Sequence, residues 1–229
     1  MPTRDQPWLL AVFAFAIAWH LLAVAGAWTD THDVRHGRDF ASYHYAVEAA
    51  AAGDDPYDTR ALAKAARQER IRRGVHPYLY APPFLLLMAW TEPLPLPDAF
   101  HAWFWIHACL GVLTALGLAW WWRSFGGDPL ALFVMLTFAL MTAVPNNHQM
   151  GQANFAGLGL ALGGLALVER GRAVPGGALM GAACMLKMSP ALFVMWWMLR
   201  REWLAVGIAC ATGLVLSVAA LPWVGLDVQ

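Results

Sequence analysis

The chain has 229 residues, of which 59% are hydrophobic and 13% charged, with equal numbers of acidic and basic side chains and no formal net charge. Ordinary soluble domains are about 45–50% apolar and about 25% charged, so this composition excludes a soluble globular domain of the usual kind. The balanced charge argues against nucleic acid as a partner.

Thirteen Trp and eleven Phe accompany several apolar runs close to the roughly 20 residues that a spanning helix needs. The expected class is an all-α, polytopic transmembrane helical bundle. Cys109, Cys184 and Cys210 all fall inside apolar runs without pairing or C-x-x-C spacing, and read as small buried hydrophobes.

After a short polar start carrying Arg4, residues 8–28 form an apolar run with Trp at each end, the pattern of an interface-anchored span. A cleaved signal peptide is the rival reading, since Ala23-Val24-Ala25 has the form of a cleavage site. The run is long for a signal core of about 7–15 residues. His20 lies within it, either as an intramembrane functional group or as a locally bonded side chain.

A polar loop over residues 29–79 follows. Between Asp30 and Arg73 it carries eight acids and eight bases, sixteen of the thirty formal charges of the chain. Two short helices are expected in it. Asp39 is placed to N-cap Phe40 to Ala52, with Gly53 at the C′ position. Asp54-Asp55-Pro56-Tyr57 reads as a turn. Asp58 or Thr59 then caps an amphipathic helix through to Arg73, closed by Gly74, suited to a membrane surface and its lipid phosphates.

Beyond Tyr78 the apolar segments lie at about 80–96, 99–122, 129–144, 155–168, 175–199 and 203–221. The first is bracketed by prolines, and Phe84 to Thr91 alone is too short to span. Pro129 suits the first helical position of its segment. Asn146 to Asn154 reads as a polar turn between two membrane helices, and Lys187 with Ser189-Pro190 breaks the 175–199 run.

Short Arg-rich loops mark the cytoplasmic side, which places Arg4, Arg123, Arg170, Arg172, Arg200 and Arg201 inside. The 29–79 loop, the Asn146 turn and the Lys187 break then lie outside. The parity fails at one point: two apolar runs separate the outer loop from Arg123, where an odd number of crossings is required.

Several residues are candidates for chemistry, each with a plainer reading beside it. Asp39 is a helix cap or a catalytic carboxylate. Asp54, Asp55 and Asp58 are turn formers and caps. Tyr43, Tyr45, Tyr57, Tyr78 and Tyr80 are all five tyrosines of the chain, and serve as interfacial anchors or as platforms for a sugar ring. Asn146, Asn147, His148, Gln149, Gln152 and Asn154 are uncharged polar groups that are costly in lipid unless they line a wet cavity or pair internally. Lys187 either snorkels or holds an anionic group. There is no metal-ligand spacing and no Walker or Rossmann glycine pattern.

Taken together, these motifs resemble the polyprenyl-phosphate-sugar-dependent glycosyltransferases of the GT-C type, and within them glycosyltransferase family 87, the α-1,2-mannosyltransferase-like membrane proteins. The likeness rests on order. A first membrane helix precedes Arg38-Asp39-Phe40 and Tyr43, then Gly53-Asp54-Asp55-Pro56-Tyr57 and Tyr78-Leu79-Tyr80-Ala81-Pro82-Pro83. Gly151-Gln152-Ala153-Asn154 and Lys187-Met188-Ser189-Pro190 complete the series.

The resemblance implies a single transmembrane module over 1–229, truncated at its C terminus, since such enzymes continue through further helices. It implies Asp39 as general base and a polyprenyl-phosphate sugar donor, with mannose the expected sugar. The acceptor would be a lipid- or glycan-linked hydroxyl, attacked with inversion. Substrate contacts are expected from Arg38, Tyr43, Asp55, Tyr57, Tyr80, His148, Gln152, Asn154 and Lys187. Lys187, Arg38, Arg72 and Arg73 are candidates to meet the departing phosphate. No cofactor and no resident metal are expected, although a divalent ion is compatible with the chemistry.

Two other readings stand beside this one. A transporter or lipid flippase would concentrate its polar groups near the bilayer midplane, whereas here they concentrate in the outer loop. A non-catalytic membrane subunit would look much like a fragment of the enzyme.

Overall fold

The structure is a computed structural model that describes residues 7–29, 37–68 and 75–224. Among these residues the protein is all-α, with ten α-helices and one 3-10 turn, as its composition predicts. Helix α1 (Pro7–Thr29), α5 (Leu96–Leu140) and α10 (Trp203–Val224) are each long and apolar enough to cross a bilayer. Helices α6 (Ala143–Met150) and α7 (Asn154–Glu169) supply a fourth span if that broken pair counts as one.

Leu10, Phe15 and Leu22 of α1, and Leu204, Leu214 and Val215 of α10, are more than half exposed. In water such faces would aggregate; in lipid they are the ordinary outer surface. The chain is an integral, multi-pass membrane protein. It forms two compact units: one from residues 1–37 with 104–155, the other from 38–103 with 156–229.

In the first unit, α5 is too long for one crossing. Forty-five residues would reach about 68 Å, more than twice the roughly 30 Å of the hydrocarbon core. The helix breaks at Gly126 and Gly127, where Gly127 has φ 69° and ψ −160°, a backbone shape closed to side-chain-bearing residues. Arg123 Nε meets Asp128 Oδ1 at 2.5 Å beside the break. Ala115 and Ala119 of the first arm pack with Met135, Phe138 and Ala139 of the second, and Ala16 of α1 joins them.

The stretch over 146–149, expected as a turn, is instead helical. Pro145 sits in the first turn of α6, where its missing N–H costs nothing, and Gly151 ends the helix with φ 71°. An apolar surrounding favours the helix because it satisfies backbone groups internally.

The second unit begins with α2 (Arg38–Ala51) and α3 (Thr59–Gln68). Gly53 takes φ 76° after α2, and Asp58 accepts from the Arg60 N–H at 2.9 Å, capping α3. Helix α2 starts at Arg38, so Asp39 lies within its first turn and not at its N-cap. A carboxylate there still faces the positive end of the helix dipole. The rest of the expected second helix, with Arg72 and Arg73, lies outside the described residues.

The six residues of α4 (Pro83–Met88) extend about 9 Å and run into a 3-10 turn at Ala89–Thr91. This element is too short to cross.

Helix α7 turns through Gly171 (φ 74°) into α8 (Ala173–Leu186), with Gly164 against Gly176. Helix α8 then runs parallel to α10 through a Gly177-x-x-x-Gly181 face. A Cβ on Gly177 would stand 2.5 Å from the Ala205 carbonyl, and one on Gly181 would collide with that of Ala209. Lys187, at φ −155°, ends α8, and α9 (Ala191–Leu199) returns. Arg200 Nη1 reaches Glu169 Oε1 at 3.6 Å, so the α8–α9 excursion comes back to the end it left. Arg201 closes α9 with φ 62°, a left-handed position held by a side-chain-bearing residue.

The glycine contacts give a direct test. Gly181→Val is expected to destabilise the second unit by about 1–3 kcal/mol or more through overpacking. Gly207, which has nothing within 4 Å of its Cβ position, serves as the control. Gly207→Ala is expected to be neutral or stabilising by up to about 1 kcal/mol, measured as thermal unfolding of the purified chain in detergent.

Candidate active site

Helix α2 presents Asp39 and Tyr43 one turn apart, on the same face. Asp39 is half-buried, and its backbone carbonyl accepts from Ser42 Oγ at 2.7 Å. Tyr43 is 1% exposed, and its hydroxyl donates to the Tyr80 hydroxyl at 2.7 Å. The Tyr43 ring stands edge-on to Tyr80 and Phe84, at 4.8 and 4.9 Å between centroids. Tyr80 stacks on Phe84 at 4.5 Å.

Tyr57 joins from the loop. The Asp55 carboxylate accepts from its backbone N–H at 2.8 Å, an Asx turn that Pro56 favours. Its hydroxyl donates to the Tyr80 carbonyl at 3.0 Å, and its ring lies 5.3 Å from Tyr78. Four of the five tyrosines therefore form one group around Phe84, at one end of α2.

Burial raises the Tyr57, Tyr78 and Tyr80 phenols above the ordinary tyrosine range. The Asp55 charge adds to the effect at Tyr57, and the Asp39 charge adds to it at Tyr80, where the Tyr43 hydrogen bond works against it. These phenols stay protonated at any working pH and serve as donors. A carboxylate beside neutral phenols can accept a proton from a bound hydroxyl, while the rings offer faces to a sugar.

Arg38 is exposed at the start of α2, and Lys187 is exposed at the break between α8 and α9 in the same unit. The second unit thus contains Asp39, Tyr43, Asp55, Tyr57 and Tyr80 as one connected group, with both cations at its surface.

His148, Gln152 and Asn154 belong to the first unit. Gln152 and Asn154 build a locked turn after α6. Asn147 Nδ2 donates to the Gln152 carbonyl at 3.3 Å, and Asn154 Nδ2 donates to Gln152 Oε1 at 2.7 Å. The Gly37 N–H donates to the Gln149 carbonyl at 2.6 Å, which ties the residue before α2 to the end of α6. His148 is 1% exposed and sits near His20, with ring centroids 6.3 Å apart.

His107 and Phe84 were missed by sequence reasoning. A histidine in the middle of an apolar run is the signal that marks His107. Phe84 has no signal beyond following the Tyr78-Leu79-Tyr80 run.

A scan against protein families matches glycosyltransferase family 87 over residues 78–228, about two thirds of the chain. No curated protein and no solved structure matches. The matched stretch includes Tyr80, His148, Gln152, Asn154 and Lys187, and begins after Asp39. With a match over that share of the sequence, the chain belongs to glycosyltransferase family 87, a GT-C-type family of membrane enzymes.

Proposed function

We propose that the protein transfers a hexose, mannose in the first instance, from a polyprenyl-phosphate donor to a hydroxyl of a lipid- or glycan-linked acceptor. Asp39 acts as the general base. The single observation that carries this is the place of Asp39: a half-exposed carboxylate in the first turn of α2, one turn from the buried Tyr43 and near enough to the half-buried Tyr80 for its charge to raise that phenol.

A polyprenyl phosphate is already a leaving group, so the remaining task is to deprotonate and aim the acceptor oxygen at the anomeric carbon. One placed carboxylate accomplishes this. The acceptor O–H passes its proton to Asp39 as the C–O bond forms. The bond to the phosphate oxygen breaks on the opposite face, and the anomeric centre inverts. Lys187 and Arg38 are the cations proposed to meet the phosphate as charge develops on it.

The proposed active face is extracytoplasmic, in a plasma or inner membrane. Arg170, Arg172, Arg200 and Arg201 gather at one end of the α7–α8–α9 segment, as the return of Arg200 to Glu169 requires, and such clusters favour the cytoplasmic side. The shortness of α4 supports this reading: with no crossing by α4, a single crossing by the first arm of α5 would separate the outer loop from Arg123, as the reading requires.

The test is transfer of radiolabelled mannose from polyprenyl-phosphate-mannose, in membranes carrying the full-length gene at matched expression. Asp39→Asn is expected to lower transfer by about 10²–10⁴-fold. Equal transfer by wild type and variant would make Asp39 a helix-terminal carboxylate only.

A second prediction separates positioning from chemistry. Tyr43→Phe removes the donor to Tyr80 without changing shape, at a cost of about 1 kcal/mol in stability. Tyr80→Phe, which removes the hydroxyl that accepts from Tyr43, is expected to lower turnover by about tenfold, the effect of one hydrogen bond of roughly 1.4 kcal/mol. Tyr43→Ala, which empties a buried ring site, is expected to cost about 3–5 kcal/mol. Detergent thermal shifts alongside turnover rates check all three.

A further inference from the structure

The first unit encloses a group of imidazoles that the proposed chemistry does not use. His20 on α1, His107 on α5 and His148 on α6 are 6%, 1% and 1% exposed. His20 and His148 face each other at 6.3 Å between ring centroids. Phe138 lies 5.8 Å from His20, and Phe104 and Phe155 lie 5.6 and 5.1 Å from His148. Among the described residues, neither ring nitrogen of His20 or His148 has a hydrogen-bond partner.

Among the described residues of this unit, no free counter-charge accompanies His20 and His148. Helices α1 and α6 carry no acidic or basic residue other than His20 and His148. The first arm of α5, from Phe104 to Trp122, carries none except His107, and its one thiol, Cys109, is exposed. The formal charges among the described residues of this unit are Arg123 and Asp128, paired with each other. Arg123 stands about 24 Å along the helix from His107.

We propose that this imidazole cluster is an acid-sensitive latch: the first unit is closed while the His20 and His148 rings are neutral and opens to water when they are protonated. Imidazole is the side chain whose charge changes between about pH 5 and pH 8. A proton on the His20 or His148 ring places a positive charge in an aromatic cage with no carboxylate among the described residues of this unit to balance it, since Asp128 is taken by Arg123. A second proton is repelled by the first. Entry of water supplies the missing solvation and hydrogen bonds, and it requires α1, α5 and α6 to separate at this point. The latch lies within the first unit and is independent of sugar transfer.

The experiment is hydrogen exchange by mass spectrometry on the full chain in lipid nanodiscs, at about pH 8 and about pH 5, corrected for the intrinsic pH dependence of exchange. Peptides from α1 and α6 are expected to lose protection by about tenfold or more in acid, while peptides from α8 and α10 hold theirs. The double variant His20→Asn, His148→Asn is expected to keep its protection in acid.

Unchanged protection of α1 and α6 in the wild type overturns the proposal, as does equal loosening of both units. Loosening that persists in the double variant overturns it as well. If the double variant does not insert, the single variants His20→Asn and His148→Asn are each expected to move the acid midpoint to lower pH, and unmoved midpoints in both overturn the latch.

Discussion

The contact between the backbones of α8 and α10 is the constraint on which the second unit depends. In lipid, helices gain little by hiding apolar side chains from one another, so association rests on close packing. Gly177 and Gly181 let α8 approach the carbonyls of Ala205 and Ala209 closely enough that a Cβ would not fit. Gly164 and Gly176 do the same between α7 and α8. With α7, α8 and α10 held this tightly, α4 and α2 have a firm surface to pack on. The α2 helix that bears Asp39 therefore owes its position to glycines far from it in the chain.

The tyrosine group is a second element of order in this unit, built from neutral hydrogen bonds. Tyr43, Tyr57 and Tyr80 are linked by hydroxyl and carbonyl hydrogen bonds, and Asp55 fixes the turn that delivers Tyr57. Tyr43 donates to the Tyr80 hydroxyl and Tyr57 to the Tyr80 carbonyl, so the rings are tied together by neutral hydrogen bonds.

Features that depend on local chemistry were legible in the sequence. Gly53 after α2, Asp58 before α3 and the Asp55-Pro56-Tyr57 turn follow from the backbone preferences of those residues alone, as does the helix break at Lys187 to Pro190. The order of motifs along the chain was enough to indicate the family. Features that depend on distant partners were not legible. The Tyr43–Tyr80 bond joins residues 37 positions apart, and density of tyrosine marked the region without showing which rings would meet. Residues 146–149 look like a turn because they lack apolar periodicity, yet the demand for internal backbone pairing makes them helical. The grouping of His20, His107 and His148 requires three helices to converge, which no spacing within one helix can reveal.

Arg201 has an implication for how the chain is oriented as it is made. Its left-handed backbone is the conformation that glycine adopts freely and that costs other residues on the order of 1 kcal/mol. The helix end itself would be served as well by glycine. A cation there adds instead to Arg200 beside it and complements the negative end of the α9 dipole. The strain is thus kept in exchange for a second positive charge at the turn before α10, where the insertion machinery decides which end of the last hydrophobic helix stays behind.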